Sequence, residues 1–559
     1  MAQREDCERF ASAFSKAYEA CPEVPRGVLE AVSFTNTQCH HLTDADYRHD
    51  GPEAMPRAYG LMGLVRDGKG YFRENLHLIA QLSGIPEADI LDSPEANVLA
   101  YAKAFAMLGG KGSTKDCLNA IRELSELPTG ERDDGYPMLV MLYSVCEFLN
   151  DTAMAERFRF EPFLIDLRST FGDDYATLSA KGLTIAYGDA DYSKAIWNPA
   201  PECNYGDRTD AVRGVVIHYT EGSYAGCISW FKNCDAQVSA HYVIRSRDGQ
   251  VTQMVHESDK AWHARSANAY TIGIEHEAYG DIVSYFTPEM YASSADLVHD
   301  ISLRYADIDG HRTFYRDTLD DGTRLNSGLH DLGGAEACTQ IRGHQHFPNQ
   351  SHTDPGPYWD WNRYYKLINA DNAAPVVLQG DSGSLDHENY GDDERRVWVI
   401  EAPENNTISL CFSDFSLEKD YDFLWIYDGD NVFAPKLGRW NTKSPGTVVS
   451  SGNTMCVEFR SDCHTAAAGW KATWKAIAPE PPFQAGVFPN PVDDVLYINM
   501  EECAIHVAAL YDVFGHQVTQ AVTFINSAQI ETGELPQGTY VLRYGKPTET
   551  WKVAKIVKL

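Results

Sequence analysis

The run Gly214-Val215-Val216-Ile217-His218-Tyr219-Thr220 places a histidine near the end of a short stretch of β-branched residues. Such a continuous apolar stretch is typical of a strand that is buried on both faces of a sheet. A buried strand holds its last residues rigidly at the end of the sheet. His218 is therefore predicted to be a fixed polar group at the end of a central strand.

Two later residues combine with His218 into a set of metal ligands. His344 follows Gly343, and Asp354 precedes Pro355-Gly356-Pro357, a turn that restricts the backbone and aims the carboxylate at low entropic cost. Zinc at a catalytic site takes imidazole and carboxylate ligands and leaves one tetrahedral position open for water. The set predicts a mononuclear zinc site, although any one of the 19 histidines is more often a surface or hydrogen-bonded residue.

The motifs around this set resemble those of the zinc-dependent N-acetylmuramoyl-L-alanine amidases, which include the bacterial AmpD-like enzymes and the peptidoglycan recognition proteins. They are Val216-Ile-His218-Tyr-Thr220, Val238-Ser-Ala-His-Tyr-Val-Ile244, Arg247-Asp-Gly249, Ala261-Trp-His-Ala264, Ile272-Gly-Ile-Glu-His-Glu277, Gly343-His344 and Asp354-Pro-Gly-Pro357. The resemblance implies that His218, His344 and Asp354 bind Zn²⁺. It also implies a substrate, the amide between N-acetylmuramic acid and L-alanine of the peptidoglycan stem.

Two residues carry the predicted acid–base chemistry. Glu275 matches the catalytic glutamate of the family, which implies a general base that takes a proton from the attacking water. His352 stands where many relatives carry lysine and others histidine, and its protonated ring would stabilise the oxyanion that forms during attack. Ala240 occupies a position where some relatives carry a catalytic tyrosine, which leaves the base role to Glu275.

Aromatic and basic residues near the motifs are candidates for substrate contacts. Trp262, His263 and Trp359 are predicted to line the groove because aromatic faces bind sugar rings, although aromatic residues are more often core. Arg245 and Arg247 are candidates for ion pairs with carboxylates of the stem peptide, and exposed arginines without a specific role are the alternative.

Three other histidines are predicted to lie outside the ligand set. His346 is expected beside the metal ligands or in solvent, and His241 is expected to be structural. His276 is expected to face away from the metal because strand neighbours of Glu275 alternate between the two faces.

Length and composition bound the rest of the chain. Its 559 residues suggest about four domains, and a hydrophobic fraction of 43% supports real cores. A net charge of −33 argues against nucleic-acid binding, because a phosphate backbone would be repelled. No apolar run is long enough to span a bilayer.

The C-terminal half resembles two further families of β-sandwich domains. Residues 376–478 resemble a CUB domain, and the matching segments are Ile408–Glu418, Tyr421–Gly429, Val457–Asp462 and Gly469-Trp470. Residues 484–559 resemble the C-terminal sorting domain of the type IX secretion system. The matching segments there are Phe488-Pro-Asn-Pro491, Leu510–Gly515, Leu535–Tyr540 and Lys555–Leu559.

These resemblances imply a calcium site and an export route. Glu418, Asp422 and Asp462 fall where calcium-binding CUB domains place carboxylates, and hard oxygen ligands suit Ca²⁺, with a solvated acidic loop as an equal alternative. The sorting domain implies the type IX secretion machinery as a partner, and a secreted or cell-surface protein that is exported through the periplasm. Met1-Ala2-Gln3 lacks the apolar core of a secretory leader, which leaves a removed leader or a chain that is not exported; the sorting domain favours the first.

The N-terminal region, about residues 1–185, is predicted to be helical, with apolar residues at helical spacing over 95–108. It resembles a lysozyme-like lytic transglycosylase through Val24–Val32, Tyr59–Gly63 and Ala96–Gly109. The family's catalytic glutamate falls on Asn36, which cannot donate an acidic proton in that way. The resemblance implies a glycan-binding or scaffolding domain without glycosidase activity, and a generic helical domain is the alternative.

Thirteen cysteines favour an oxidising compartment. Cys227 and Cys234 flank a short predicted helix where recognition proteins often carry a disulfide, and two buried thiols are the alternative. Cys411 and Cys456 are expected to face each other across strands, whereas Cys463 has no obvious partner.

The sequence thus predicts a multidomain chain with a lysozyme-like helical domain (1–185), an α/β amidase domain with a central mixed sheet (195–372) and two β-sandwiches (376–478 and 484–559). The predicted function is a secreted zinc amidase that acts on peptidoglycan or muropeptides. A non-catalytic peptidoglycan-binding protein and a bifunctional amidase and glycosidase are the alternatives.

Overall fold

The computed structural model describes residues 9–48, 54–129, 135–180, 189–280, 282–319, 321–334, 337–370, 374–478, 486–500 and 504–559. The chain forms two compact units, Met1–Ile477 and Ala478–Leu559. The first unit contains a helical region (9–180), a sheet region (189–370) and a first sandwich (374–478). The second unit is a second sandwich (486–559). The domain boundaries inside the first unit stay predictions, because its parts pack as one unit.

The helical region begins the chain. Its longest helices are amphipathic or fully buried, and the helix predicted over 95–108 is confirmed as Pro94–Met107. The Ser93 side chain accepts the N–H of Ala96 at 3.2 Å, and Pro94 occupies the first turn, where an N–H is not needed. The α-helices are Ala11–Ala20, Val28–Thr37, Asn75–Ser83, Glu87–Asp92, Pro94–Met107, Thr114–Leu124, Tyr136–Asn150, Thr152–Phe158, Leu167–Phe171 and Tyr175–Leu178, and two short strands are Ala58–Tyr59 and Leu64–Val65.

A six-stranded sheet organises the sheet region. In spatial order its strands are Ile341–Gly343, Gly214–Tyr219, Thr271–His276, Tyr242–Ile244, Val251–Gln253 and Ile196–Trp197. The first four strands run parallel, and Tyr242–Ile244 pairs antiparallel with Val251–Gln253, so the predicted mixed sheet is confirmed. The strand Gly214–Tyr219 is buried along its whole length, as its apolar run predicts.

Helices and a small sheet cover the six-stranded sheet. The α-helices are Tyr224–Trp230, Pro288–Arg304 and Trp361–Ile368, and a two-stranded sheet pairs Tyr205–Asp207 with Asp259–Ala261. One continuous hydrophobic core runs through the helical region and the sheet region, and includes Leu29, Phe105, Val215 and Ile274. The two regions therefore bury apolar surface against each other rather than meeting through a polar linker.

The first sandwich packs two sheets around its own core. One sheet contains, in spatial order, Val376–Gln379, Arg395–Glu401, Thr454–Arg460, Phe423–Tyr427 and Lys436–Trp440. The other contains Ser382–Ser384, Gly469–Ile477, Thr407–Ser416 and Thr447–Val449, with His387–Glu388 paired to Gly469–Ile477. Residues from both sheets, such as Trp398 and Trp474, meet in the core.

The second sandwich also has two sheets and a separate core. Its strands are Gly486–Phe488, Val495–Asn499 and Ser527–Glu531 in one sheet, and Val522–Ile525, Ile505–Tyr511, Gly538–Gly545 and Lys552–Lys558 in the other. Alternating residues such as Leu496, Ile498, Leu510 and Leu542 are fully buried between them. Over the described residues of the whole chain, helices that combine the length and apolarity needed to cross a membrane are absent.

The three cysteine predictions are wrong. Cys234 forms a disulfide with Cys203, 31 residues earlier, while Cys227 is a buried free thiol inside the helix Tyr224–Trp230. Cys463 pairs with Cys338, which links the first sandwich to the sheet region across 125 residues. Cys411 and Cys456 lie in different sheets of the sandwich, the first exposed and the second buried, so they do not face each other.

Candidate active site

Three parallel strands bring two of the predicted metal ligands, His218 and His344, and Glu275 to one end of the central sheet. His218 lies beside Glu275 in the register of neighbouring strands, and Gly343 pairs with Ile217, so His344 follows at the same level. Side chains at register partners of adjacent strands point to the same face of a sheet. This pairing explains how residues far apart in the sequence converge.

The ligand set His218, His344 and Asp354 is buried and compact. Nδ1 of His218 lies 2.8 Å from one Asp354 oxygen, and Nδ1 of His344 lies 3.2 Å from the other. One nitrogen or oxygen atom from each of the three residues lies within 4.8 Å of the others. The backbone of Gly343 makes this approach possible, because a Cβ atom there would lie 2.5 Å from Cδ of Pro355 and would push the Asp354 turn away.

A hydrogen bond to Gln350, which is not one of the three predicted ligands, fixes the tautomer of His344. The Gln350 amide nitrogen donates to the carbonyl of Ala264 at 3.0 Å, which turns its Oε1 toward His344. Nε2 of His344 donates to that oxygen at 2.7 Å. Nδ1 of His344 is therefore the unprotonated nitrogen, and a hydrogen bond of this kind is how proteins orient metal-binding imidazoles.

The residues present fit a zinc ion. Nδ1 of His344 is buried and faces an oxygen of Asp354 at 3.2 Å, and an unprotonated nitrogen and a carboxylate oxygen at that distance repel each other unless a cation lies between them. Burial, and then the neighbouring His344, lowers the pKa of His218 to about 4, so its ring is neutral and able to coordinate. Burial raises the pKa of Asp354, but the two histidines outweigh burial and hold it well below its usual range.

Glu275 stands beside this set with one carboxylate oxygen uncommitted. Oε2 of Glu275 is buried and has no hydrogen-bond partner within the described parts of the chain. Burial raises the pKa of Glu275 well above its usual range, and the charges of Asp354 and Glu221 raise it further. A carboxylate with a raised pKa holds a proton more readily, which is the property a general base needs.

A cavity of about 480 Å³ opens over the ligand set. Trp262 and His263 line it, as predicted, and so does His352, whose ring stacks 5.0 Å from that of His344. Nδ1 of His263 lies 3.0 Å from Nε2 of His218, so this ring also contacts a predicted metal ligand. Further lining residues that the sequence analysis did not single out are Glu221, Gln237, Ser239, Arg265 and Asn268.

Trp359 does not lie in the groove, contrary to prediction. Its side chain is only 2% exposed and packs against Tyr291 and His276, with ring centroids 4.5 and 4.6 Å away. The helix Trp361–Ile368 begins two residues later, and the ring of its Tyr364 lies 5.1 Å from that of Trp359. Trp359 is a core residue, which is the commoner role of a tryptophan.

The two arginines predicted to form ion pairs with the stem peptide form ion pairs within the protein instead. Arg245 is buried and pairs with Asp248 at 2.7 Å. Arg247 pairs with Glu147 of the helical region. Arg245 also donates to the Ser144 hydroxyl of the helical region at 3.2 Å, so both arginines join the helical region to the sheet region, and neither lines the catalytic cavity.

The three histidines predicted to lie outside the ligand set make hydrogen bonds within the sheet region. Nδ1 of His241 accepts the N–H of Gly273 at 3.0 Å, and His276 contacts the backbone oxygen of His218 on the side away from the cavity. His346 is fully buried rather than exposed to solvent, and its Nε2 lies 2.9 Å from the carbonyl of Leu325.

The predicted calcium ligands also come together. Glu418, Asp422 and Asp462 each offer an oxygen atom within 4.8 Å of the other two. Burial raises the pKa of Asp422 to about 7, although hydrogen bonds from Tyr390 and from the N–H of Asp462 oppose that rise. Three carboxylates at this spacing repel one another unless a proton or a cation lies between them.

Family models match three parts of the chain. The model described as N-acetylmuramoyl-L-alanine amidase matches residues 208–357, the CUB domain model matches 377–474, and the secretion system C-terminal sorting domain model matches 486–558. The chain is 39% identical over 186 residues to N-acetylmuramoyl-L-alanine amidase A of Achromobacter lyticus, an alignment that covers 33% of this chain and 99% of that protein. The chain belongs to the N-acetylmuramoyl-L-alanine amidase family. Its amidase region carries two further recognised domains at its C-terminal side.

Other relatives cover smaller parts. Procollagen C-endopeptidase enhancer 2 of Mus musculus is 36% identical over 113 residues, which are 19% of this chain and 27% of that protein. The solved structure of the Staphylococcus aureus hydrolase AmiA in complex with its ligand is 18% identical, covers 28% of this chain and 72% of that chain, and has a TM-score of 0.21.

The different positions of the two tryptophans make a matched pair of predictions. Trp262→Ala is expected to raise KM about tenfold and to leave the melting temperature close to wild type, because it removes a cavity wall. Trp359→Phe is expected to lower the free energy of unfolding by about 2 kcal/mol and to leave KM unchanged, because it opens a void in the core. Kinetics on soluble muropeptides and thermal unfolding check both; equal effects of the two variants on KM would contradict these positions.

Proposed function

We propose that this protein is a secreted zinc-dependent hydrolase that cleaves the amide between N-acetylmuramic acid and L-alanine of the peptidoglycan stem. The observation that carries the proposal is the buried set of His218, His344 and Asp354 beside Glu275, at the floor of a cavity in a member of the amidase family. When bound by these three residues, zinc would polarise the amide carbonyl and lower the pKa of a bound water.

The protein's own residues supply proton transfer and charge stabilisation. Glu275 takes a proton from the attacking water as the new C–O bond forms, and returns it to the nitrogen of L-alanine as the C–N bond breaks. The protonated ring of His352 stabilises the negative charge on the carbonyl oxygen between these steps. The products are a muramic acid lactyl carboxylate and a stem peptide with a free amino group.

The cavity walls position the glycan. Trp262 offers an indole face for a sugar ring, and His263 holds His218 from the same wall. Gln237, Ser239 and Asn268 supply amide and hydroxyl groups, which suit the acetamido and hydroxyl groups of N-acetylmuramic acid.

Metal removal tests the ligand assignment. Chelation of the wild-type protein is expected to abolish release of stem peptides, and one equivalent of Zn²⁺ is expected to restore it. His218→Ala is expected to retain less than a tenth of the wild-type zinc content, measured by elemental analysis, because two ligands hold zinc poorly. His346→Ala serves as the control for loss of a buried histidine; equal zinc loss in both variants would refute the ligand set.

The two other domains suggest where the enzyme acts. The sorting domain model over residues 486–558 supports export by the type IX secretion machinery to the cell surface or the exterior. The disulfides Cys203–Cys234 and Cys338–Cys463 agree with an oxidising compartment.

We also propose that Glu418, Asp422 and Asp462 bind Ca²⁺. Calcium is expected to raise the melting temperature of the wild-type protein by several degrees, because a ligand that binds only the folded state stabilises it. Asp422→Asn is expected to abolish this increase, whereas Asp414→Asn, on the same sandwich but outside the cluster, is expected to keep it. A calcium response that survives Asp422→Asn would identify the cluster as a solvated acidic loop.

A further inference from the structure

The helical region supplies one wall of the catalytic cavity. Ala54 and Met55 line the same cavity as His218, Glu275 and Asp354, although they lie far earlier in the sequence. They belong to the connection between the helix Val28–Thr37 and the strand Ala58–Tyr59. The cavity of this amidase is therefore completed by residues from outside the sheet region.

A polar contact joins the helical region to Glu221, another residue of the cavity lining. The backbone N–H of Arg48 donates to Oε1 of Glu221 at 2.6 Å, and Glu221 is itself a cavity residue that is only 9% exposed. The backbone of Glu221 is in the left-handed region with φ of 47°, a conformation that a non-glycine residue adopts only when its surroundings impose it.

A second set of contacts holds the wall from the other side. The amine of Lys69 donates to the carbonyl of Ala54 at 2.6 Å and lies 5.3 Å from the ring of Trp230, another cavity residue. The Tyr71 hydroxyl donates to the carbonyl of Ser229 at 2.7 Å. The helical region therefore contacts the helix Tyr224–Trp230, which contributes residues to the cavity lining.

The side chain of Met55 lies directly on the turn that leads into this helix. A Cβ atom added to Gly222 would lie 1.6 Å from Cε of Met55, and one added to Gly226 would lie 3.6 Å from its sulfur atom. Two glycines therefore form a cradle for one flexible thioether. Met55 is half-buried in this cradle, so part of its side chain remains available to a bound molecule.

The lining residues near Met55 differ in chemistry from those near Trp262. Met55 adds a half-buried apolar side chain to the lining, next to Gly222 and Gly226, whereas Gln237, Ser239 and Asn268 supply the amide and hydroxyl groups assigned above to the sugar. An apolar surface suits the short aliphatic side chains of a stem peptide better than a hydroxylated sugar.

We propose that Met55 is a specificity-determining residue that closes the peptide side of the cavity and selects stem peptides without cross-links over cross-linked ones. This inference rests on the proposed amidase function. A cross-linked stem carries a second peptide chain, and the proposal places that chain where the side chain of Met55 lies in the cavity lining. A pocket wall discriminates by steric exclusion of the larger substrate, and one side chain typically changes such a preference by one to two powers of ten.

The test compares two soluble substrates, a monomeric disaccharide-peptide and its cross-linked dimer. Met55→Ala is expected to raise kcat/KM for the dimer about tenfold and to leave kcat/KM for the monomer within about twofold of wild type. Met107→Ala, a 65% exposed methionine of the same region, is the matched control and is expected to change neither value. Zinc content and melting temperature show that each variant is folded.

A double-mutant cycle tests the contact itself. Gly222→Ala forces Met55 from its cradle and is expected to alter the dimer-to-monomer ratio in the wild type, but to have no effect when Met55→Ala is already present. Equal effects of Gly222→Ala in both backgrounds would overturn the proposal. An unchanged ratio in Met55→Ala would overturn it too, as would a change that follows glycan length instead of cross-linking. If the wild type cleaves neither substrate, the proposed amidase function fails instead.

Discussion

Glu275→Gln is expected to lower kcat about a thousandfold, while zinc content and KM stay close to wild type. Glutamine has the size of glutamate but cannot accept a proton, so the variant loses general base catalysis without opening a cavity. The uncommitted Oε2 atom of Glu275 makes no hydrogen bond to the described protein that the substitution would break. Steady-state release of stem peptides, together with elemental analysis for zinc, measures both parts of the prediction.

Glu289→Gln is the control, because Glu289 is an exposed residue at the start of the helix Pro288–Arg304. It should keep wild-type kcat. If Glu275→Gln retains more than about a tenth of wild-type kcat, another group takes the proton from water, since a lost general base typically costs a factor of at least about a hundred.

Glu458→Gln is expected to lower the free energy of unfolding of the first unit by about 3 kcal/mol. Glu458 is fully buried and pairs with Arg395 at 2.9 Å and with Arg460 at 3.0 Å. Arg460 also donates to Asn362, and its guanidinium lies 3.8 Å from the ring of Tyr365, so the cluster joins the first sandwich to the sheet region. The substitution leaves two buried guanidinium groups without their anion, which is the costly way to break a buried ion pair.

The cost should depend on pH. Burial raises the pKa of Glu458, but Arg460 and Arg395 outweigh burial and lower it to about 2. Because the folded pKa lies below the unfolded value of about 4.3, the stabilisation is fully present above that value and is lost as pH falls toward 2. Denaturant unfolding of wild type and variant at pH 7 and pH 3 should show a smaller difference at the lower pH.

Glu388→Gln removes the anion of an exposed pair with Lys471 in the same sandwich and should leave stability unchanged. An equal effect of the Glu458 and Glu388 substitutions would contradict the role of the buried cluster.

The local pattern of apolar residues was enough to predict two elements. A continuous apolar run predicted the strand of His218, and apolar residues at helical spacing predicted the helix Pro94–Met107. The convergence of Glu275 with His218 depends on strand register, which the family motifs implied. Gln350 was missed, although its place between His344 and Asp354 in the sequence was a usable signal. Glu221, two residues after the end of the strand of His218, offered a similar signal.

The features that the sequence analysis predicted wrongly or missed depend on tertiary packing between distant parts of the chain. Trp262 and Trp359 were both predicted to line the groove, but Trp359 packs against Tyr291 and His276 in the core, and these contacts come from distant parts of the sequence. Cys234 pairs with Cys203, which lies in a different turn, because Cys227 points into the core. Met55 reaches the cavity from a separate region, and no motif spans that distance.

Digestion of purified sacculi by the wild type and by His218→Ala tests the central claim most directly. Mass spectrometry of the new ends identifies the bond that is cut. The account predicts that the wild type releases free stem peptides, leaves glycan strands at full length and produces muramic acid with a free lactyl carboxylate, and that His218→Ala releases none. Shortened glycan strands, or retained binding to sacculi without any new ends from the wild type, would contradict it.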